Sequence, residues 1–345
     1  MKGWISALIL FLLPISLRAE PLRIATFSTE LSQKGPGLLL REITNARSSH
    51  VASALAVIAA NDPDILVLQG IDWDFNERTA RALQMRLSDQ GLSYPFWFTA
   101  RPNSGLATGL DMDGDRRTGG PRDAQGYGDF TGAHGMLVLS RYPLITEALR
   151  DFTDILWADL PWADLPTYPD GTPFPSQVAQ TQQRLSSTNH WILPVIGPND
   201  RRLDLMIFSA TPPVFDGAED RNGKRNHDEI ALWQHVLDGQ FGPQPKAPVV
   251  VIGNANLDPA KGDGRHVAIQ ALRSHPRLQD PAPSSPQAGT ATVDWEQTGP
   301  MRVDYILPDA QLTVTRSGVH WPQSQDDPAA YASRHRLVWV DLDLP

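Results

Sequence analysis

One stretch decides the fold: Val249-Val250-Val251-Ile252-Gly253-Asn254-Ala255-Asn256-Leu257-Asp258-Pro259. Its four leading apolar residues indicate a buried strand, and the glycine then frees the backbone where two asparagines and an aspartate follow. Short polar side chains at the end of a buried strand are typical of active sites. Asparagine and glycine are also ordinary turn formers, so the stretch taken alone favours an Asn-rich turn. The rest of the chain decides between these interpretations.

The composition is that of a globular protein. The chain has 345 residues, of which 41% are hydrophobic and 20% are charged, and this allows one large domain or two. It contains no cysteine, which excludes disulfides, a thiolate nucleophile and cysteine-ligated zinc.

Residues 1–19 have the pattern of a secretory signal. Lys2 precedes an apolar run from Gly3 to Leu17, and the small residue Ala19 follows. Because the run is short for a membrane span, we predict cleavage here, a single domain over residues 20–345 and no stable membrane span in the mature protein. The expected location is the periplasm or the exterior, and an uncleaved anchor is the alternative.

The net charge disfavours general binding to nucleic acid. The formal charge of the chain is -9, and removal of residues 1–19, which contain Lys2, Arg18 and no acidic residue, changes it to -11. An acidic protein has no general attraction to a polyanion, so nucleic acid is the less favoured partner.

Strand and helix patterns alternate along the mature chain, which predicts a mixed α/β protein. Asn226 is predicted to cap the third helix, after a polar loop at 220–224. The predicted strands span 22–28, 65–69, 94–98, 134–143, 203–208, 249–252, 301–307 and 337–342, and one further strand ends at 195. The predicted helices span 51–60, 77–89, 227–237 and 265–273.

A long polar loop at 101–133 contains three alternating carboxylates, Asp111, Asp113 and Asp115. Several oxygens in one tight turn suit a hard cation, so this segment is a candidate calcium site. The twelfth position of the frame is Arg122 rather than glutamate, which argues against an EF-hand. A solvated acidic turn, paired with the adjacent arginines, is the alternative.

Two late motifs are candidates for acid–base chemistry. Asp304 is the one carboxylate in an otherwise apolar strand, where an unpaired charge is costly. His335 lies just before the last strand, and a histidine held by a buried aspartate is a recurrent acid–base device. The alternative is a purely structural hydrogen bond between them.

Taken in order, these segments resemble the endonuclease/exonuclease/phosphatase superfamily, which has the deoxyribonuclease-I-like fold. The resemblance covers nearly all of the mature chain and implies an α+β protein, a four-layer αββα sandwich of two packed mixed β-sheets, with its site where the strands end. It rests on an opening strand that ends in polar residues and on Asp64-Ile65-Leu66-Val67-Leu68-Gln69, Leu137-Val138-Leu139-Ser140-Arg141, Gly253-Asn254-Ala255-Asn256, Arg302-Val303-Asp304-Tyr305 and Ser333-Arg334-His335.

The resemblance implies phosphoester hydrolysis with a divalent cation, usually magnesium. Asn256 matches the family asparagine that orients nucleophile and phosphate. Asp304 and His335 match the paired aspartate and histidine, with His335 expected to contact the scissile phosphate. Asn254 occupies the position of the aspartate that activates the nucleophile.

Other positions also depart from the family pattern, and together they weaken the expected magnesium site. Gly70 replaces a metal-binding glutamate, and Arg334 replaces the metal-side aspartate. Ser28 replaces the usual asparagine of the first strand, and Ser209 stands where nucleases of this fold often carry a histidine.

Two hypotheses follow from these departures. In the first, the protein is a hydrolase in which other groups replace the lost ones. In the second, it is a catalytically inactive secreted binding module. Either would recognise a phosphoester, an anionic small molecule or a lipid headgroup. The candidate oxygen ligands are Glu30, Asp72, Asp74 and Asp258, and the candidate phosphate-binding cations are Arg184, His190, Arg225 and Arg334, each of which also has a surface or packing role as its alternative.

Overall fold

The computed structural model describes residues 21–324 and 327–344, and the predicted signal sequence lies outside them. Two mixed β-sheets and six α-helices form the fold, as the resemblance predicts. The strands are β1 (Leu22–Ser28), β2 (Ile65–Ile71), β3 (Phe96–Phe98), β4 (Gly135–Ser140), β5 (Arg150–Asp151), β6 (His190–Ile196), β7 (Arg202–Ser209), β8 (Val249–Asn254), β9 (Val293–Trp295), β10 (Gly299–Met301), β11 (Asp304–Pro308), β12 (Thr313–His320) and β13 (Leu337–Asp343). The helices are α1 (Leu38–Asn45), α2 (Ser49–Asn61), α3 (Arg78–Ser88), α4 (Gln177–Gln182), α5 (Arg221–Leu237) and α6 (Val267–Arg273).

Each large sheet contains one parallel pair of strands at its centre. The first sheet has the order β12-β13-β1-β2-β4-β3, in which β1 and β2 are parallel. The second has the order β11-β8-β7-β6-β5, in which β7 and β8 are parallel. A separate hairpin joins β9 to β10. The remaining pairs in both large sheets are antiparallel.

Alternating side chains on the strands produce the four layers. Ile24 of β1 faces the second sheet, whereas Phe27 faces α1 and α2. In the same way, Ile252 of β8 lies between the sheets, and Val251 packs beneath α5 and α6. Because successive side chains of a strand point to opposite faces, each all-apolar strand is buried on both sides.

The start of α5 differs from the prediction. The helix begins at Arg221, so the predicted polar loop at 220–224 and the Asn226 cap are wrong. Asp220 precedes the helix in a left-handed conformation, and Asn226 lies within it. The Asn226 amide donates to the carbonyls of Thr211 and Ala255, at 2.7 and 2.8 Å, so it ties α5 to the ends of β7 and β8 rather than capping the helix.

The sequence patterns missed six of these elements, namely α1, α4, β5, β9, β10 and β12. No helix among residues 21–324 and 327–344 is both long and apolar enough to cross a bilayer.

Candidate active site

The candidate site lies at one end of the sandwich, where strands of both sheets end. Ser28 is the last residue of β1, and Asp304 is the first of β11. Asp304 also pairs in register with Asn254 at the end of β8. The Ser28 hydroxyl donates to Oδ1 of Asp304 at 2.9 Å, and this bond joins the two sheets at the site.

Asp304 and His335 form a buried pair. Oδ2 of Asp304 lies 2.8 Å from Nδ1 of His335, and the two residues are 1% and 6% exposed. Nε2 of His335 has no hydrogen-bond partner among the described residues, and Trp295 packs edge-on against the ring. Burial opposes the imidazolium form, but the charges of Asp304 and Glu30 outweigh it and raise the pKa of His335. The pair therefore favours a protonated histidine with one free N–H.

Glu30 and Arg334 form an ion pair beside this histidine. Nε of Arg334 donates to Oε1 of Glu30 at 2.9 Å, the Arg334 main-chain N–H donates to Oε2 at 2.9 Å, and Nη2 also contacts Oε1. Burial alone would raise the pKa of Glu30, yet the Arg334 hydrogen bonds and the His335 charge lower it to about 2. Both carboxylate oxygens are therefore already bound by cationic or N–H donors.

Ser333 holds the segment before β13 in place. Its hydroxyl donates to the Ser28 carbonyl at 2.7 Å and accepts the main-chain N–H of His335 at 3.0 Å. The sequence reasoning missed Ser333 and Trp295. The position of Ser333 next to the histidine was an available signal, whereas nothing in the sequence pointed to Trp295.

The two asparagines after β8 hold their own loop. The Asn256 N–H donates to Oδ1 of Asn254 at 2.7 Å, and the Asn256 amide donates to the Ala210 carbonyl at 2.8 Å. Asn256 adopts a left-handed conformation, φ 49°. Nδ2 of Asn254 and Oδ1 of Asn256 have no partner among the described residues, so one donor and one acceptor remain for a ligand.

Gly70 has a conformational reason for lacking a side chain. It lies at an irregularity of β2 with φ +73°, and a Cβ there would lie 3.0 Å from the Glu30 main-chain nitrogen. Left-handed backbone of this kind favours glycine. Any side chain at position 70 would therefore be strained in this backbone.

Three other predicted oxygen ligands are engaged in local structure. Asp72 accepts from the Ser32 hydroxyl and the Gln33 N–H, and its pKa is raised by burial. Asp74 accepts the N–H groups of the first residues of α3. Asp258 accepts from the N–H groups of residues 260, 261 and 302.

The residues at the Asp304–His335 centre do not fit a magnesium ion. Among residues 21–324 and 327–344, the one grouping of three or more carboxylate or imidazole ligands within reach of a single ion is Asp111, Asp113 and Asp115, whose oxygens lie within 4.8 Å of one another. At the candidate site, Glu30 is bound by Arg334, and Gly70 offers no ligand. We therefore assign no magnesium-dependent step to this centre.

The 111–115 loop is closed by its own hydrogen bonds. Asp111 accepts the N–H groups of Gly114 and Arg116, at 2.6 and 2.8 Å, and Asp115 accepts that of Arg117 at 2.7 Å. The predicted ligand groups are thus brought together, and the calcium assignment stays a prediction.

The structure does not bring three predicted cations to the Asp304–His335 centre. His190 is fully buried, bonded to Ser186 and to the Glu229 carbonyl, and burial lowers its pKa to about 3. Arg184 pairs with Asp154 at 2.5 Å. Arg225 donates to main-chain carbonyls beneath α5. Ser209 pairs with Asn254 through the β7–β8 ladder, and its carbonyl accepts from the Ser187 hydroxyl.

This fold and this arrangement at the strand ends define a phosphoesterase-type sandwich. The chain belongs to the endonuclease/exonuclease/phosphatase family, whose model matches residues 44–335. A search among curated proteins gives no significant match.

Solved structures with the same fold are distant in sequence. An endonuclease/exonuclease/phosphatase from Beutenbergia cavernae is 17% identical, with a TM-score of 0.58 over 94% of this chain and 72% of that chain. The human Nocturnin catalytic domain is 15% identical, with a TM-score of 0.53 over 94% and 95%. A mannosyl-6-phosphatase from Bacteroides thetaiotaomicron is 14% identical, with a TM-score of 0.50 over 94% and 100%.

Proposed function

We propose that this protein is an exported phosphoester hydrolase in which His335 and Arg334 bind the phosphate where relatives use a metal. Members of the family are metal-dependent phosphoester hydrolases. The observation that carries the proposal is the buried Ser28–Asp304–His335 chain, whose bonds of 2.9 and 2.8 Å leave Nε2 of His335 free.

Each residue has a specific role in this proposal. The protonated His335 donates Nε2–H to a phosphoryl oxygen, and Asp304 fixes the ring and stabilises its charge. Arg334 is 64% exposed, and its Nη1 has no described partner, so the guanidinium can bind an anion while it remains paired with Glu30. Asn254 and Asn256 orient water and phosphate through their free amide atoms.

The absence of a carboxylate base at position 254 determines the expected rate of hydrolysis. An amide cannot accept a proton as a carboxylate does, so Asn254 orients water without activating it. We therefore expect slow turnover in the native protein and faster turnover in Asn254→Asp.

The substrate class follows from charge and from the relatives. A relative of the same fold is a mannosyl-6-phosphatase. The formal charge of -9 disfavours nucleic acid, which leaves a phosphorylated small molecule or a lipid headgroup as the proposed substrate.

The test is an assay of residues 20–345 on p-nitrophenyl phosphate and bis(p-nitrophenyl) phosphate, with EDTA and with magnesium, calcium or manganese. We expect hydrolysis that persists in EDTA and falls about 100-fold in His335→Ala. His235→Ala is the matched control, because His235 stacks on Trp162 and bonds to Gln240, outside the site. Activity that EDTA abolishes would contradict the replacement of the metal.

One observation favours a second candidate, a binding module without catalysis. Glu30 is bound by Arg334, and Asn254 offers no base, so the site lacks any free carboxylate in the position of a base or a metal ligand. No hydrolysis under any of these conditions, and none in Asn254→Asp, would rule out the hydrolase for these substrate types and support this second function.

A further inference from the structure

A cavity lies where the 101–133 loop meets the start of α5. Its volume is about 380 Å³, which is in the range of small-molecule sites. Among the described residues, its lining includes three arginines and no carboxylate. The lining residues that matter for the argument are Arg122, Tyr127, Thr211, Phe215, Arg221 and Arg225.

Arg225 presents an unpartnered cationic atom to this cavity. The residue is only 6% exposed. Nε donates to the Leu185 carbonyl at 2.7 Å, and Nη2 donates to carbonyls that include that of Gln125 at 2.6 Å. Nη1 has no hydrogen-bond partner among the described residues, and no carboxylate there lies within ion-pair distance of the guanidinium. A buried guanidinium in this state has no direct ion pair to offset its desolvation.

Arg221 adds a second positive charge on the same face of the helix. It lies four residues before Arg225 and at the first position of α5, where like charges repel and the helix dipole also disfavours a cation. Its described hydrogen bond is to the Met112 carbonyl. Burial lowers the pKa of both side chains, that of Arg225 to about 10, so Arg225 remains charged at neutral pH.

The nearby acids Asp113, Asp216 and Glu219 attract Arg221 electrostatically, but none of them forms a direct ion pair with it. Asp216 accepts the Asn222 N–H, and Glu219 accepts the Gly217 N–H. Oδ2 of Asp113 lies 4.0 Å from Nη1 of Arg122, and Asp113 does not form an ion pair with Arg221 or Arg225. Glu229 attracts Arg225 electrostatically, but its oxygens accept from Ser187 and Thr211 and form no hydrogen bond with the guanidinium. No direct ion pair among the described residues therefore balances the positive charge of Arg221 or Arg225.

Two exposed aromatic rings complete the lining. Tyr127 is 60% exposed and Phe215 is 75% exposed. Exposed rings beside buried cations suit a ligand that combines an anion with a flat, partly apolar body.

We propose that this cavity binds a small molecule that carries a phosphate-type dianion attached to a flat ring. Two guanidinium groups on one helix face supply the donors for the dianion, with Arg122 opposite them. None of the residues that line the cavity belongs to the Asp304–His335 centre, and the proposal does not depend on hydrolysis there. The cavity lies near that centre, because its residue Thr211 follows Ala210, whose carbonyl accepts a hydrogen bond from the Asn256 amide.

The experiment is calorimetric titration of residues 20–345 with phenylphosphonate and methylphosphonate, which share a headgroup and cannot be hydrolysed. We expect phenylphosphonate to bind more tightly. Its affinity should fall at least about tenfold in Arg221→Gln and by a smaller factor in Arg122→Gln, because each substitution removes a charged donor. Tyr127→Ala should reduce the advantage of the phenyl ligand.

Matched controls separate this cavity from the candidate active site. Arg117→Gln removes the same charge from an exposed position of the same loop and should leave affinity unchanged. His335→Ala should also leave it unchanged. Arg122 is half exposed, so Arg122→Gln is informative even where Arg221→Gln does not fold. No binding of either phosphonate, equal losses in Arg117→Gln, or a loss in His335→Ala instead of Arg122→Gln would each overturn the proposal.

Discussion

Arg334 shows how one substitution changes a site. An aspartate at this position would add negative charge beside Glu30 and favour a cation. The arginine instead pairs with Glu30, and the charges of Asp304 and Glu30 raise the pKa of the adjacent His335. Arg334 and His335 each keep a free N–H donor, and these donors favour an anion, which is why we place the substrate phosphate rather than a metal here.

The Glu30–Arg334 pair predicts a specific pH dependence of stability. The pKa of Glu30 in the folded protein is about 2, below its ordinary value of 4.5, so the pair stabilises the fold above pH 4.5 and this contribution is lost as the pH falls toward 2. Arg334→Gln should lower the free energy of unfolding at pH 7 by no more than about 1 kcal/mol, because solvent screens an exposed guanidinium. Urea denaturation at pH 7 and at a pH below 2, where Glu30 is protonated, measures this loss.

The comparison requires a control for general charge effects. Arg47→Gln removes a cation from an exposed position without a described ion pair. A loss in Arg334→Gln that matches Arg47→Gln at pH 7, or that persists undiminished below pH 2, would show that Glu30 is not stabilised by Arg334.

Individual residues of the site differed in how far the sequence could predict them. The Asp304–His335 pair was predicted because a carboxylate in an apolar strand needs a partner. The Glu30–Arg334 pair was not predicted, since its members lie 304 residues apart and only the β1–β13 pairing brings them together. The pocket formed by Arg122 and Arg221 is hidden in the sequence for the same reason.

At the level of elements, β8 depends on Gly253. Its φ is +144°, and a Cβ there would lie 1.9 Å from the Phe208 carbonyl oxygen, inside the β7–β8 ladder. Gly253→Ala should therefore cost about 3 kcal/mol or more of stability, since strain and the loss of strand pairing add. Gly91→Ala is the control, because Gly91 has φ +87° with no atom near its Cβ position and should lose about 1 kcal/mol.

Urea denaturation of the two variants checks this prediction. Similar losses in both would mean that backbone conformation alone, and not the contact with β7, requires the glycine. The circular dichroism of folded Gly253→Ala should remain that of the native protein, because the change is local.

The 111–115 loop allows a test of the calcium prediction. If the three carboxylates bind calcium, their mutual repulsion decreases, so added calcium should raise the melting temperature and protect residues 101–133 from protease. Asp113→Asn should reduce both effects, whereas Asp89→Asn on the exposed end of α3 should not. No change on calcium depletion would leave a solvated acidic turn as the interpretation.

Helix boundaries show where local patterns fail. The strands were predicted because uninterrupted apolar runs have few other solutions. The start of α5 was not, since Asp220-Arg221-Asn222-Gly223 has the composition of a turn. Tertiary packing determines where α5 begins, because the Asn226 amide near the start of the helix donates a hydrogen bond to the Thr211 carbonyl.

For the whole molecule, the predicted signal sequence can be tested directly. In a bacterial host, the full chain should be recovered from the periplasm with Glu20 at its N-terminus, because the apolar run is too short to remain as a span. A chain that lacks residues 1–19 should stay in the cytoplasm. Retention of residues 1–19 on a membrane fraction would favour the uncleaved anchor.

The central position of β1 in its sheet has a consequence for the order of folding. β1 lies between β2 and β13, and Leu22 pairs with Leu342. During synthesis, β1 emerges first, but its sheet cannot be completed until β13 has been made. Such long-range pairing is slow. A growing chain thus displays neither the Glu30–Arg334 pair nor the Asp304–His335 pair. The proposed anion site therefore exists only in the finished molecule, as the predicted export of an unfolded chain requires.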